Sequence, residues 1–549
     1  MLGRAAIAVG LAMLCGPAAG SEPAPAQRAE PAAPPGAAEP CLPEPCEAEI
    51  CPVRPADPTV ALASRPYAQD GLPAAPAPSQ APDPIGAPAA RKRAWEESLG
   101  GREAAKPYLK ARLAGWPARL LADRRELPAQ DREFLWRVAR DTWRGIAAFT
   151  DRENGLPVDH VRFQGSLAAA DTQIGDYVSP SSLGLYLVAV TAAVELDLAT
   201  REEALSRLRL ALETLRGLER YQGMLYNFYD TTSLEPTSRF VSFVDSAWLT
   251  AGLMVVRSSF PELAALATSM IDERDYGFFY DTAFRQMSHG YAVDRGEFSP
   301  YHYATLYTEA RLGSLIAIGK GDVPEDHWFR MVRTFPATCT WQSLPPQGRK
   351  RKEVRGHAVT GGFYEWKGLR YVPSWGGSMF EALMPTLLVD EQALAPQSLG
   401  RNAAAHVEVQ RRYATEELGL PVWGMSPSAD PHPDGYREYG VPVLGARGYA
   451  DAAVTPHAVA LALPVDPGAA TANLRRLAER YDLYGDFGFF DSVDPRSGSV
   501  GAAYLILDQA MLFLALANHL DAGIVQRRFS SDPIAARALS ILADEDFLD

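Results

Sequence analysis

The hydrophobic and polar positions of this chain fall into a long succession of helical repeats. Leu135, Val138, Thr142, Ile146 and Phe149 recur every three or four residues, which predicts a first amphipathic helix. It stops at Asp151-Arg152-Glu153-Asn154-Gly155-Leu156-Pro157, a run of turn formers and helix breakers. Further helices are predicted over 183–198, 201–218, 243–257, 261–272, 303–319, 326–334, 378–388, 397–418, 456–463, 469–481 and 504–520. Short connections alternate with longer ones rich in Tyr, Trp, Asp and Gly. Strand patterns are local, and Gly362-Phe363-Tyr364-Glu365-Trp366-Lys367-Gly368-Leu369-Arg370-Tyr371 predicts one small β-hairpin. About a dozen helices in one run, with the chemistry gathered in alternate connections, predict an all-α fold built as a double ring of helices rather than several bundles.

The pattern is different before residue 91. Arg4, the apolar run Ala5 to Cys15 and the small residues Ala18-Ala19-Gly20 make residues 1–20 an export signal. The run is too short for a stable membrane anchor. Cys15 raises a lipoprotein alternative, which the bulky Leu14 before it disfavours. The expected location is therefore periplasmic or extracellular. Residues 21–92 are dominated by Pro and Ala and cannot bury enough apolar surface to offset chain entropy, so they read as a disordered linker. Cys41, Cys46 and Cys51 within it lack a Cys-x-x-Cys pair, and an oxidising destination favours disulfides over zinc. They are candidate disulfide partners for each other, for Cys339 or for another chain, and the pairing stays open. The catalytic domain is expected over 93–525, and residues 526–549 read as a peripheral C-terminal tail.

Composition narrows the function. The formal net charge of −14 disfavours a nucleic-acid surface, and there is no phosphate-cradling glycine loop and no other stretch apolar enough for a membrane span. Nine histidines without a His-x-x-x-His pair indicate no catalytic metal, and no cofactor is expected. Two stretches stand out instead. Ser374-Trp375-Gly376-Gly377-Ser378-Met379-Phe380-Glu381-Ala382-Leu383-Met384-Pro385 opens as a sugar-facing loop and closes as an apolar helix with a single acid. Leu306-Tyr307-Thr308-Glu309-Ala310-Arg311-Leu312-Gly313-Ser314-Leu315-Ile316 repeats that arrangement. A charge among apolar neighbours is costly unless it is paired, hydrated or used. Two such acids suggest carboxylates facing one cavity, the equipment of glycoside chemistry.

These motifs resemble a known family. Tyr226-Asn227-Phe228-Tyr229-Asp230 with Phe243-Val244-Asp245-Ser246-Ala247 looks like the start of a glycoamylase-like domain. The runs from Leu306 to Pro324, from Ser374 to Pro385, and from Tyr439 to Gly445 with Ala460 to Pro467 after it resemble the transglycosylase domain of cyclic β-1,2-glucan synthases. The wider group includes endo-β-1,2-glucanases, and Leu507-Asp508-Gln509-Ala510 is closer to their version. The resemblance spans roughly 131–519 and implies an (α/α)6 barrel acting on β-1,2-linked glucose polymers. One loop departs from the pattern. In Trp423-Gly424-Met425-Ser426-Pro427-Ser428-Ala429-Asp430 the expected acid positions hold Pro427 and Ala429, and Asp430 is shifted by one. Hydrolysis and transglycosylation therefore both stay open.

The residues and the resemblance together assign expected roles. Glu309 is the general acid, its pKa raised by partial burial. Glu381 is the nucleophile or base, and Asp430 is the competing base of an inverting mechanism. The competing structural roles are an ion pair of Glu309 with Arg311, a helix-start duty for Glu381 and a turn duty for Asp430. Asp230 and Asp245 are expected to accept sugar hydroxyl hydrogen bonds, with turn and cap duties as their alternatives. Tyr226, Tyr303, Trp375 and Trp423 are candidate stacking surfaces, His289 a candidate cleft residue, and Tyr439 a further substrate contact. The basic run Gly348 to Gly356 reads as a solvated loop or as a flap attracting anionic glucans. The expected function is an exported enzyme that cleaves or transfers β-1,2-glucan, the partner being a glucan or oligosaccharide. The alternatives are a hydrolase of another β-glucan or exopolysaccharide and a non-catalytic glycan-binding envelope protein on the same barrel.

Overall fold

The computed structural model describes residues 88–115, 127–163, 172–432 and 435–546. The predicted export signal, Cys15 and the cysteines at 41, 46 and 51 lie outside the described residues. Two short helices come first, α1 (Pro88–Ser98) and α2 (Arg102–Arg112). The helical body comprises α3 (Asp131–Ala148), α4 (Pro180–Glu195), α5 (Arg201–Gly217), α6 (Phe243–Ser259), α7 (Ala264–Asp272), α8 (Ala310–Lys320), α9 (Asp326–Arg330), α10 (Met379–Leu383), α11 (Glu391–Leu394), α12 (Leu399–Arg412), α13 (Pro456–Leu461), α14 (Pro467–Arg480) and α15 (Ile506–Leu520). It ends with α16 (Ile524–Ser530) and α17 (Pro533–Leu539). Among the described residues no helix is long and apolar enough to cross a membrane.

The helices divide into two kinds. Helices α4, α6, α8, α10, α13 and α15 are buried almost all round, which is how a helix surrounded by protein reads. Helices α3, α5, α12 and α14 bury one face only. The buried set closes on itself: α4 packs on α6, α6 on α8, α10 on α13, α13 on α15, and α15 back on α4. The remaining contact, α8 to α10, is made by Arg311. Its guanidinium donates to the carbonyls of Glu381 (3.3 Å) and Ala382 (2.7 Å).

Local sequence sets the helix starts. Ser179, Thr455, Asp466 and Asp532 each cap a helix whose next residue is proline, the residue whose missing N–H and fixed φ suit a first helical turn. Helices α4 and α6 touch backbone to backbone through glycines. A Cβ on Gly252 would stand 2.4 Å from the carbonyl oxygen of Gly184.

Sheet is local. Strands β1 (His160–Phe163) and β2 (Thr172–Gly175) pair antiparallel, and β1 also takes up Ala503–Leu505 from just before α15. The predicted hairpin exists as β3 (Tyr364–Trp366) and β4 (Leu369–Tyr371), with Lys367 and Gly368 at positive φ in the turn.

Three expectations change. The predicted helix over 303–319 begins at Ala310, because residues 303–308 run as an irregular segment whose Thr305 bridges Val332. The basic run is no free flap. Residues 351–354 and 357–360 form a second hairpin, fastened by Lys352 to Asp546 and by Arg355 to Glu325 and Asp544. Nor are residues beyond 525 peripheral. Helix α17 packs against α8, Arg257 grips Asp532 with two hydrogen bonds, and the buried Glu545 accepts from Arg333 and Trp328. The acidic composition there hid a charge partner for a buried arginine.

Candidate active site

Glu309 stands at the N-cap of α8, 3% exposed, and its Oε2 has no hydrogen-bond partner. The anticipated ion pair with Arg311 is not made. Arg311 instead clasps Glu391 through two hydrogen bonds of 2.7 and 3.0 Å. Burial first, and the nearby Glu381 charge second, raise the Glu309 carboxyl to about 8. A buried carboxylic acid without a salt-bridge partner keeps its proton near neutrality.

Glu381 is the third residue of α10 and completes a capping box with Ser378. Its carboxylate accepts from the amides of Gly376 (3.0 Å) and Ser378 (3.1 Å) and from the hydroxyls of Ser374 (3.0 Å) and Ser378 (2.9 Å). The loop reaches this shape because Gly377 takes φ +81° with its Cα against the Val441 carbonyl. Burial raises the Glu381 carboxyl, and these donors oppose the rise.

Asp245 joins Glu309 from α6. Ser181 donates to its Oδ1 at 2.6 Å, its Oδ2 has no partner, and burial raises it to about 6. The Tyr303 phenol lies within the field of both Glu309 and Asp245, and His289 stands 5.5 Å from the Tyr303 ring. The structure thus brings Glu309, Glu381, Asp245, Tyr303 and His289 together.

The other predicted residues are placed elsewhere or engaged. Asp430 is held in a turn by the amide of His432, accepts from Tyr439 at 3.1 Å and pairs with Arg437 at 3.0 Å, so Tyr439 serves Asp430. Asp230 accepts from the amides of Thr232 and Ser233 and faces Lys92, which is its turn alternative. Tyr226 and Trp423 are each 2% exposed and pack in the core, so neither ring offers a face for stacking. Trp375 is covered by Trp341 and Phe335, in the same cluster as Cys339.

A second acidic group joins Asp508 of the Leu507–Ala510 motif to Asp491 and His457, neither of which the sequence singled out. Asp491 and Asp508, each 1% exposed, lie side by side, and Asp491 Oδ1 and Asp508 Oδ2 have no hydrogen-bond partner. Burial raises Asp491 to about 6 and Asp508 further. His457 completes a cluster whose donor atoms lie within 4.8 Å of one another, a set able to hold a cation. Two tyrosines join this group to the first. Tyr449 lies in the field of Glu381, Glu438 and Glu309, and Tyr436 in that of Asp508, Asp491 and Glu438. The sequence signal for Asp491 was slight, one acid after Phe489 and Phe490. Only ring closure brings it to Asp508.

Fold and site define a helix-rich protein with a group of buried carboxyls, whose structural neighbours are glucanases and glucoamylase-like proteins. A family model described as "Putative glucoamylase" matches residues 356–533, and one described as "Protein of unknown function (DUF3131)" matches residues 137–314. The cyclic β-(1,2)-glucan synthase NdvB of Rhizobium meliloti is 26% identical over 75% of this chain, which spans 18% of that protein's length. An endo-β-1,2-glucanase from Talaromyces funiculosus, solved with sophorose, superposes with a TM-score of 0.60 at 13% identity, covering 78% of this chain and 93% of that one. A "putative glucoamylase" from Bacteroides caccae gives 0.59 at 18% identity, covering 75% and 99%. These structural matches establish the shared fold.

Proposed function

We propose that this chain is an exported carbohydrate-active enzyme on an (α/α)6 barrel, with Glu309 as the general acid that protonates the glycosidic oxygen of a β-1,2-linked glucan. The observation that carries the reading is the buried Glu309 carboxyl, whose Oε2 has no hydrogen-bond partner, beside a second buried acid. A glycosidic oxygen leaves poorly until it receives a proton, and a carboxyl titrating near pH 8 supplies one at neutrality. The closed cycle of six buried helices supports the barrel. The synthase NdvB and the Talaromyces endo-β-1,2-glucanase, both named for β-1,2-glucan, support the substrate.

The test is incubation with linear β-1,2-glucan and mass analysis of products. Short linear products mean hydrolysis, and cyclic or lengthened ones mean transfer. Glu309→Gln is expected to bind glucan while losing about 10²-fold or more in kcat. One observation favours a second reading, a glycan-binding protein without activity: Glu381 and Asp430 are both fully engaged within the protein. Equal behaviour of wild type and Glu309→Gln on every glucan would establish it.

A further inference from the structure

We propose that Glu438 is the second catalytic carboxylate of this enzyme. Residues Ser428–Ala429 and Tyr436–Arg437 form a short antiparallel ladder, Ser428 opposite Arg437 and Ala429 opposite Tyr436. Continuing that register by one step sets Pro427 opposite Glu438. Residues directly opposed across an antiparallel pair project on the same face, with Cβ atoms about 5 Å apart. A carboxylate at position 427 and one at position 438 would therefore reach nearly the same place.

The surroundings agree. Two residues beyond Glu438 the chain lies on the loop that holds Glu381. A Cβ on Gly440 would stand 2.5 Å from the Gly376 carbonyl oxygen, Val441 donates to the Gly377 carbonyl at 3.0 Å, and Tyr449 donates to that of Gly376 at 2.8 Å. The phenol of Tyr449 lies in the field of Glu438, Glu381 and Glu309 together. Tyr436, on the other side, lies in the field of Glu438, Asp491 and Asp508. Glu438 thus stands between the two acidic groups.

Exposure to solvent separates it from the other acids there. Glu381 is saturated with donors, Asp430 is ion-paired, and Asp245, Asp491 and Asp508 are each 1% exposed. Glu438 is open to solvent and follows directly on Arg437, whose guanidinium is turned to Asp430. Surrounding protein still encloses it enough to raise its carboxyl, which strengthens it as a base.

The step balances. Water attacks the anomeric carbon, and its oxygen forms the new bond while one of its protons passes to the Glu438 carboxylate. The bond from the anomeric carbon to the glycosidic oxygen breaks, and that oxygen takes the proton of Glu309. Glu438 then returns its proton to solvent and Glu309 regains one.

The proposal rests on the reading that the chain cuts glucan, and the experiment separates the two. Wild type is first assayed on β-1,2-glucan and a panel of other β-glucans. A wild type inert on β-1,2-glucan but active on another refutes the substrate, and the comparison proceeds on the glucan it cuts. A wild type inert on all of them overturns both. Glu438→Gln is expected to lower kcat about 10²-fold or more, with KM within about threefold and the melting temperature unchanged. The double variant Pro427→Glu with Glu438→Gln, or azide added to Glu438→Ala, is expected to restore at least about tenfold of that loss. A kcat within about tenfold of wild type, or a loss that neither route recovers, overturns the proposal.

Discussion

Glu309→Gln separates the working role of this residue from its effect on folding. The substitution keeps shape and removes ionisation. In the folded protein the carboxyl titrates near 8, against 4.5 when free, because burial and the Glu381 charge disfavour its ionised form. That displacement corresponds to about 5 kcal/mol between the two protonation states. The sign follows from proton counting. Between 4.5 and 8 the folded state holds a proton that the unfolded state has released, so stability from this group is complete below pH 4.5 and is lost as pH rises through 8. At pH 4, Glu309→Gln therefore melts with wild type. At pH 8.5 wild type carries the full penalty, which local relaxation and water entry reduce to about 2–3 kcal/mol. The variant should then melt a few degrees higher. Calorimetry at the two pH values, with activity followed in parallel, is the assay. A melting difference equal at both pH values would refute the claim that Glu309 is a buried neutral acid. Higher stability without activity is the signature of a group held in an unfavourable state for use.

The same titration places the alkaline limb of kcat/KM near pH 8, and a limb below about pH 6 would reassign the acid. Glu381→Ala strips the capping loop of its acceptor and should cost about 1–3 kcal/mol in denaturant melts, with the helical signal otherwise retained. Removing the residues from 541 onward leaves Arg333 buried without Glu545 and should cost about 3–5 kcal/mol; a truncated protein as stable as the full chain would mean that the pair is inert.

The helical body was legible because its periodicity is strong, and Glu309 was legible because it is a charge in an apolar frame. Other features depended on contacts that no local pattern carries. The irregular run before α8 carries the same aromatic spacing as a helical turn, and its bridge to Val332 decides otherwise. Glu381 takes its helix-start reading, which the sequence could not separate from the other, since a capping glutamate and a site acid have the same signature. Asp430 loses its freedom to Arg437, seven residues away and brought back by a hairpin. Asp491 and Asp508 are unremarkable singly and meaningful only as a pair.

The dependence of α8 on α17 reaches into the life history of the molecule. Gly319 of α8 lies so close to Ile534 that a Cβ there would stand 2.2 Å from its carbonyl oxygen. The helix that begins at the proposed acid therefore gains its backing from residues synthesised more than two hundred positions later. That backing exists only after synthesis has passed Ile534, so the helix waits for its support until long after its own residues have been made. A protease trimming the residues beyond 532 would strip that helix of its backing without touching an atom of the proposed acid.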